Sequence, residues 1–287
     1  MRSGSALLAA ALLVAAGFRP AAVSAAEPPV VVACAPGYPG TTEEAQPTMD
    51  AFAAALAEGA GLGRDGLKAV YHQTEAGGLA RLGRPDAAFA LVPLSFFLQH
   101  EKPLGLAPLS QAVRKGGEAG ESWTLVAGKG KLTAPAGLDG WQLVSLASYS
   151  PRFVRGTALG GWGPVPPGTK LVTSGSVLSA LRKAAAGEKV AVLLDAEQAA
   201  GLATLPFAAQ LEVVHRSATV PVSVFCTVSG RAAKPRQKAV ADALRKLDAS
   251  AAGAAALAGI RVTRFVAVDE ASLASARAAF AAAPEGP

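Results

Sequence analysis

The chain has 287 residues and a formal net charge of +6, from 27 basic and 21 acidic side chains. That length suffices for one large domain or two lobes. The basic excess is mild and scattered, with no run of five like charges and no aromatic-basic interleaving, which argues against a nucleic-acid partner.

Arg2, an apolar run over residues 6–16 and the small residues Val23, Ser24, Ala25 and Ala26 form the pattern of a secretory signal over residues 1–26. The run is short for a bilayer span, and a retained anchor is the alternative. Val31, Val32, Ala33 and Cys34 resemble a lipoprotein cleavage box. Glu27, Pro28 and Pro29 separate them from the apolar run, so they read better as a first strand. Loss of Arg2 and Arg19 with the signal leaves a charge of +4. Such a bias suits an anionic solute, an acidic membrane surface or plain solubility. The expected location is the periplasm.

The spacing predicts a buried strand at 30–35, a turn-rich loop through Tyr38, and a helix over 45–58 carrying Met49, Phe52 and Leu56 on one face. A second strand at 67–71 and a short helical piece at 78–82 follow. Next, a strand at 86–91 runs through Val92 and Pro93 directly into a helix at 93–100. That turn leaves backbone N–H groups and Ser95 at a positive helix end, a geometry that binds anions without chemistry. The second block has strands at 123–127, 142–146, 170–172 and 190–194. Ser150 reads as an N-cap with Pro151 at the first helical position. Thr173 or Ser174 caps a helix at 177–186. Strands at 211–214 and 222–228 and helices at 234–247 and 271–282 close the chain, with a weak Ala-rich surface helix or helix pair at 249–260.

Alternating strands and helices predict an α/β fold of two lobes, each a mostly parallel sheet flanked by helices, joined by a two-segment hinge. The first lobe is expected at 27–118, the second at 119–214, and a return strand with closing helices of the first lobe at 215–287. Cys34 and Cys226 fall in apparent buried strands. They read as free thiols, with a disulfide the alternative. His72, His100 and His215 form no metal-binding pattern, and no nucleophile elbow or P-loop is present, so neither an enzyme nor a cofactor is expected.

The order of pieces resembles the substrate-binding proteins of phosphate, phosphite and phosphonate ABC transporters, which have the type 2 periplasmic binding fold. The resemblance rests on four features. Tyr38 and Pro39 follow the first strand. Asp86, Ala88, Pro93, Leu94, Ser95 and Phe96 form the second motif. Leu138, Gly140, Ser148 and Ser150 form the third, and Ser217 and Pro221 the fourth. It implies a ligand-binding cleft between the lobes, faced by Tyr38, Ser95, Ser148, Tyr149, Ser150 and the turn carrying Ser174 and Ser176. Asp195 stands in the family's acidic position. Ser176 stands where a His is common, and Tyr149 replaces a small hydroxyl residue. Arg152, in the first turn after Ser150, is a candidate for pairing an oxyanion bidentately. Each residue also has a structural alternative: capping for Ser95, Ser148, Ser150 and Asp195, rim packing for the tyrosines, solvation for Arg152. The implied partners are a small anionic or polar ligand and an inner-membrane ABC permease, with the chain acting as a monomer. A sensory or non-binding scaffold role on the same fold is the alternative.

Overall fold

The computed structural model describes residues 27–114, 116 and 119–284, and the expected signal segment lies outside them. The chain builds β1 (Val30–Cys34), α1 (Thr42–Gly59), β2 (Lys68–His72), α2 (Glu75–Leu82), β3 (Ala87–Pro93), α3 (Leu94–Leu104) and β4 (Leu106–Val113). It crosses through β5 (Gly120–Glu121) to β6 (Thr124–Gly128), β7 (Gln142–Ser145), β8 (Lys170–Thr173), α4 (Val177–Ala185), β9 (Val190–Leu194), α5 (Ala196–Ala200) and β10 (Leu211–Arg216). It returns through β11 (Val220–Pro221) to β12 (Ser223–Val228), α6 (Lys234–Leu244), α7 (Ala251–Gly259), β13 (Arg264–Val266) and α8 (Glu270–Ala282).

Two main sheets result, in the orders β13-β4-β12-β3-β1-β2 and β10-β6-β9-β7-β8. The short strands β5 and β11 pair antiparallel where the chain passes between them. This two-lobed α/β architecture is the one expected from the alternation of elements. The sheets are mixed, however, rather than mostly parallel. Among the described residues only β1 with β2 and β3, and β7 with β8 and β9, pair parallel. Strand β12 enters from the other lobe and therefore runs antiparallel to both β3 and β4.

Local chemistry sets the element ends. Thr41 and Glu44 close a capping box at the start of α1. Gly105, left-handed at φ 58°, ends α3. Pro108 cannot donate to a ladder, and the β12–β4 register shifts where Pro108 meets Cys226. One core lies between the first sheet and α1, α6 and α7, where Phe89 stacks on Phe225 and Phe265 meets Phe225 edge-on. On the opposite face α2 rides close to β1. A Cβ on Gly78 would lie 2.1 Å from Cys34 Sγ, so only glycine fits there.

Two boundaries differ from expectation. Strand β10 runs through 214 to Arg216 within the second sheet. Helix α8, expected among the closing helices of the first lobe, contacts the second as well. It meets the first lobe through Arg277 and Glu101 of α3. It meets the second through the π-helical turn Phe153–Ala158, where Thr157 Oγ1 donates to the Ala276 carbonyl at 3.5 Å. Cys34 and Cys226 are both buried free thiols. Burial pushes the Cys34 thiol up to about 12, with Glu75 adding to it.

Candidate functional site

The carboxyl ends of β1, β3 and β4 in one lobe face the turns after β7, β8 and β9 in the other. Gly37 turns the chain after β1 with φ +82°, and its carbonyl oxygen sits where a Cβ on Gly175 would lie, 2.0 Å away. Backbone therefore touches backbone across the lobes, and a glycine at 175 permits it.

Beside this contact Tyr38 bridges the cleft. Its hydroxyl donates to Asp195 Oδ2 at 3.0 Å and accepts from Arg114 Nη2 at 2.6 Å. Arg114, one residue beyond β4, also donates to Asp195 Oδ2 at 3.2 Å and lies 3.6 Å from Glu121. Asp195 Oδ1 accepts from Gln198 N, so the same carboxylate caps α5. The Asp195 side chain is 1% exposed, Glu121 4% and Arg114 18%. One guanidinium thus serves two buried carboxylates. Burial raises Glu121 to about 7, with Arg114 pulling it down and Asp195 pushing it up. Burial also works against the Arg114 charge, but Tyr38, Glu121 and Asp195 outweigh it and hold the guanidinium above its ordinary pKa. Burial raises the Tyr38 phenol as well, so it stays a neutral donor.

A second bridge lies at the N-terminus of α3. The N-cap there is Pro93, which provides no side-chain cap, so the positive helix end lacks a hydroxyl partner from its own cap. Ser95 Oγ, buried in the first turn, lies 2.8 Å from Tyr149 Oη of the other lobe. Tyr149 is partly buried, and burial raises its phenol pKa despite the Ser95 hydrogen bond. Close by, Glu75 in the first turn of α2 accepts from Gln99 Nε2 and is 2.7 Å from His100 Nε2.

The remaining candidates separate. Ser148 is buried, and its hydroxyl makes a long 3.4 Å contact to the Leu143 carbonyl. Ser150 is fully buried and its hydroxyl has no hydrogen-bond partner. The expected N-cap is not made by that side chain; only its carbonyl takes part, accepting from Val154 N. Ser174 accepts from Ser176 N across Gly175, and the exposed Ser176 gives α4 no side-chain cap. Arg152, a candidate for pairing an oxyanion, packs against α8. Its guanidinium covers the Phe280 ring at 4.7 Å and donates to the Ala281 carbonyl, because α8 lies over that turn. Sequence reasoning missed Arg114, Glu121 and Glu75. Arg114 follows a strand that Pro108 hides, Glu121 sits in a two-residue strand, and Glu75 carried no signal beyond helix-start chemistry. Among the described residues no cluster of three metal-ligating side chains occurs, and no helix is long and apolar enough to cross a membrane.

Residues 40–273 match the profile of a family described as ABC transporter, phosphonate, periplasmic substrate-binding protein. No curated protein matches in sequence. Among solved structures, XAC2383 from Xanthomonas citri bound to chloride ion is similar with a TM-score of 0.68 and 16% identity, covering 88% of this chain and 97% of that one. A binding protein component of an ABC phosphonate transporter (PA3383) from Pseudomonas aeruginosa gives 0.61 and 17%, covering 86% and 83%. PhnD1 from Prochlorococcus marinus in complex with methylphosphonate gives 0.60 and 14%, covering 86% and 94%. At such identities the likeness to solved structures speaks for the fold.

Proposed function

The chain belongs to the periplasmic substrate-binding proteins of phosphonate ABC transporters, and we propose that it captures a small phosphonate-like oxyanion between its lobes and delivers it, as a monomer, to an inner-membrane permease. An N-terminal signal over residues 1–26 would export it. Lobes at 27–118 with the return segment, and at about 119–216, would close by hinge bending at β5 and β11. No catalytic step is assigned.

The observation that carries this proposal is the Ser95–Tyr149 bridge at the uncapped start of α3. A helix N-terminus and two hydroxyls from opposite lobes converge on one point, which suits a tetrahedral oxyanion. The buried hydroxyl of Ser150, without a partner, adds a donor nearby in the same turn as Tyr149. Ser148, Ser174 and Ser176 line the neighbouring turns, and Tyr38 and Asp195 flank them. Because Arg114 already neutralises Asp195, a ligand amine is not needed there. Methylphosphonate, phosphite or phosphate should therefore bind better than 2-aminoethylphosphonate.

The same bridges favour a second reading. Tyr149 and Arg114 satisfy cleft groups from within the chain, as in a scaffold that signals through protein contacts. A thermal-shift panel of phosphate, phosphite, methylphosphonate, 2-aminoethylphosphonate, sulfate and acetate separates the two. A ligand bound only by the folded chain must raise Tm. A rise with the phosphorus oxyanions supports capture, and none across the panel supports the scaffold.

A further inference from the structure

A cavity of about 310 Å³ opens beside the Tyr38–Arg114 bridge, between the first sheet and the ends of α1 and α7, with Glu197 of the other lobe also in its lining. Its wall is mainly apolar: Ala33, Leu91 and Ala112 of the strands, Ala45 and Met49 of α1, and Ile260 after α7. Cavities of this size with an apolar wall and a few polar groups at the mouth are the usual form of a small-molecule site. Arg114 and Arg261 both stand at this one. Arg114 is committed to Asp195, Glu121 and Tyr38. Arg261 is exposed and makes a long 3.5 Å contact to Glu197 of the other lobe.

Arg261 also has a singular backbone. At φ 58° it is the sole non-glycine residue with positive φ among the described residues. It occupies the left-handed position after α7, where its N–H bonds the Ala258 carbonyl and Val262 N–H the Leu257 carbonyl. Glycine is the ordinary occupant of such a position. Holding arginine there is unfavourable for the backbone, and such strain gathers at functional sites.

We infer that this cavity is a second binding site, adjoining the cleft at Tyr38, Pro93 and Arg114 but separate from the Ser95–Tyr149 point, for an amphipathic anion: a short aliphatic chain or single ring in the apolar wall, its anionic head on Arg261. Because Glu197 shares Arg261 across the lobes, the head would replace an interlobe contact, and occupancy would be linked to hinge position.

The test titrates butanoate, hexanoate and octanoate into the purified chain by calorimetry, with hexanol as the neutral control. Each methylene buried should tighten Kd roughly fourfold until the cavity is full. Ala45→Phe fills the cavity from the helix face and should weaken hexanoate by about tenfold or more, the loss of at least two such methylenes. Arg261→Gly relaxes the left-handed residue, so it keeps the fold, and it should bring hexanoate down to the affinity of hexanol. Arg261→Gly should leave methylphosphonate binding as it was, and saturating methylphosphonate should not displace hexanoate. Absence of carboxylate binding, absence of chain-length dependence, or hexanoate binding undisturbed by Arg261→Gly would each overturn the inference. So would displacement by methylphosphonate, which would return hexanoate to the cleft.

Discussion

Glu121 makes the hinge region sensitive to pH, and the effect can be sized. Its carboxyl is buried beside Asp195, and in the folded chain it titrates at about 7 against an ordinary value of 4.5. Below 4.5 both folded and unfolded chains hold the proton. Between 4.5 and about 7 the folded chain keeps a proton that the unfolded chain has released. Stability therefore falls as pH rises through that window, by about 1.4 kcal/mol per pH unit and about 3 kcal/mol in all. Above about 7 the contribution is flat. Glu121→Gln removes the titration but leaves an amide oxygen to accept from Ala196 N. Urea unfolding of both proteins at a series of pH values measures the effect as a difference, in which titrating groups not coupled to Glu121 cancel. The difference should change by about 3 kcal/mol between about pH 4.5 and pH 8, with the wild type losing ground as pH rises. Parallel stability curves would refute the account of a desolvated carboxyl. A wild type that gained on the variant would show instead that Arg114 dominates.

Arg152→Ala should cost about 1 kcal/mol by unbinding α8 from its turn, seen in urea unfolding, and should leave ligand affinity unchanged. Gly175→Ala places a methyl group against the Gly37 carbonyl, so it should hold the lobes apart; small-angle scattering should report a larger radius of gyration than wild type. Cys34 and Cys226 are buried with pKa values raised by burial, so iodoacetamide at neutral pH should label neither until the chain unfolds.

The elements that were legible in the sequence are those whose burial is continuous. Strands β1, β6 and β9 are buried at every position, and an unbroken apolar run announces them. The turns that follow them, with Tyr38 and Asp195, were legible for the same reason. The direct passage from β3 into α3 exposed Ser95 as a helix-start residue. Strand β4 was not legible. Its alternation is interrupted by Pro108 and polar Ser110 and Gln111, and it is pairing with β12 and β13 that makes it a strand. The two-residue strands β5 and β11 are too short to carry any period. What the sequence could not show is which polar groups meet. Arg114 reaches Asp195 from 81 positions away, and Arg152 reaches Ala281 from 129. Such pairs are set by how the lobes and α8 pack, and local pattern holds no record of them. Ser150 shows the reverse case: its local signal for a cap is strong, yet its buried hydroxyl caps nothing.

The most direct test of the cleft account is calorimetric titration of methylphosphonate into the wild-type chain, Ser95→Ala and Tyr149→Phe. Each variant deletes one hydroxyl of the interlobe bridge. A hydrogen bond to a charged ligand contributes about 1.5–3 kcal/mol, so each should weaken a one-to-one complex by about tenfold or more. Absence of binding to the wild type, or equal affinity in all three proteins, would contradict it.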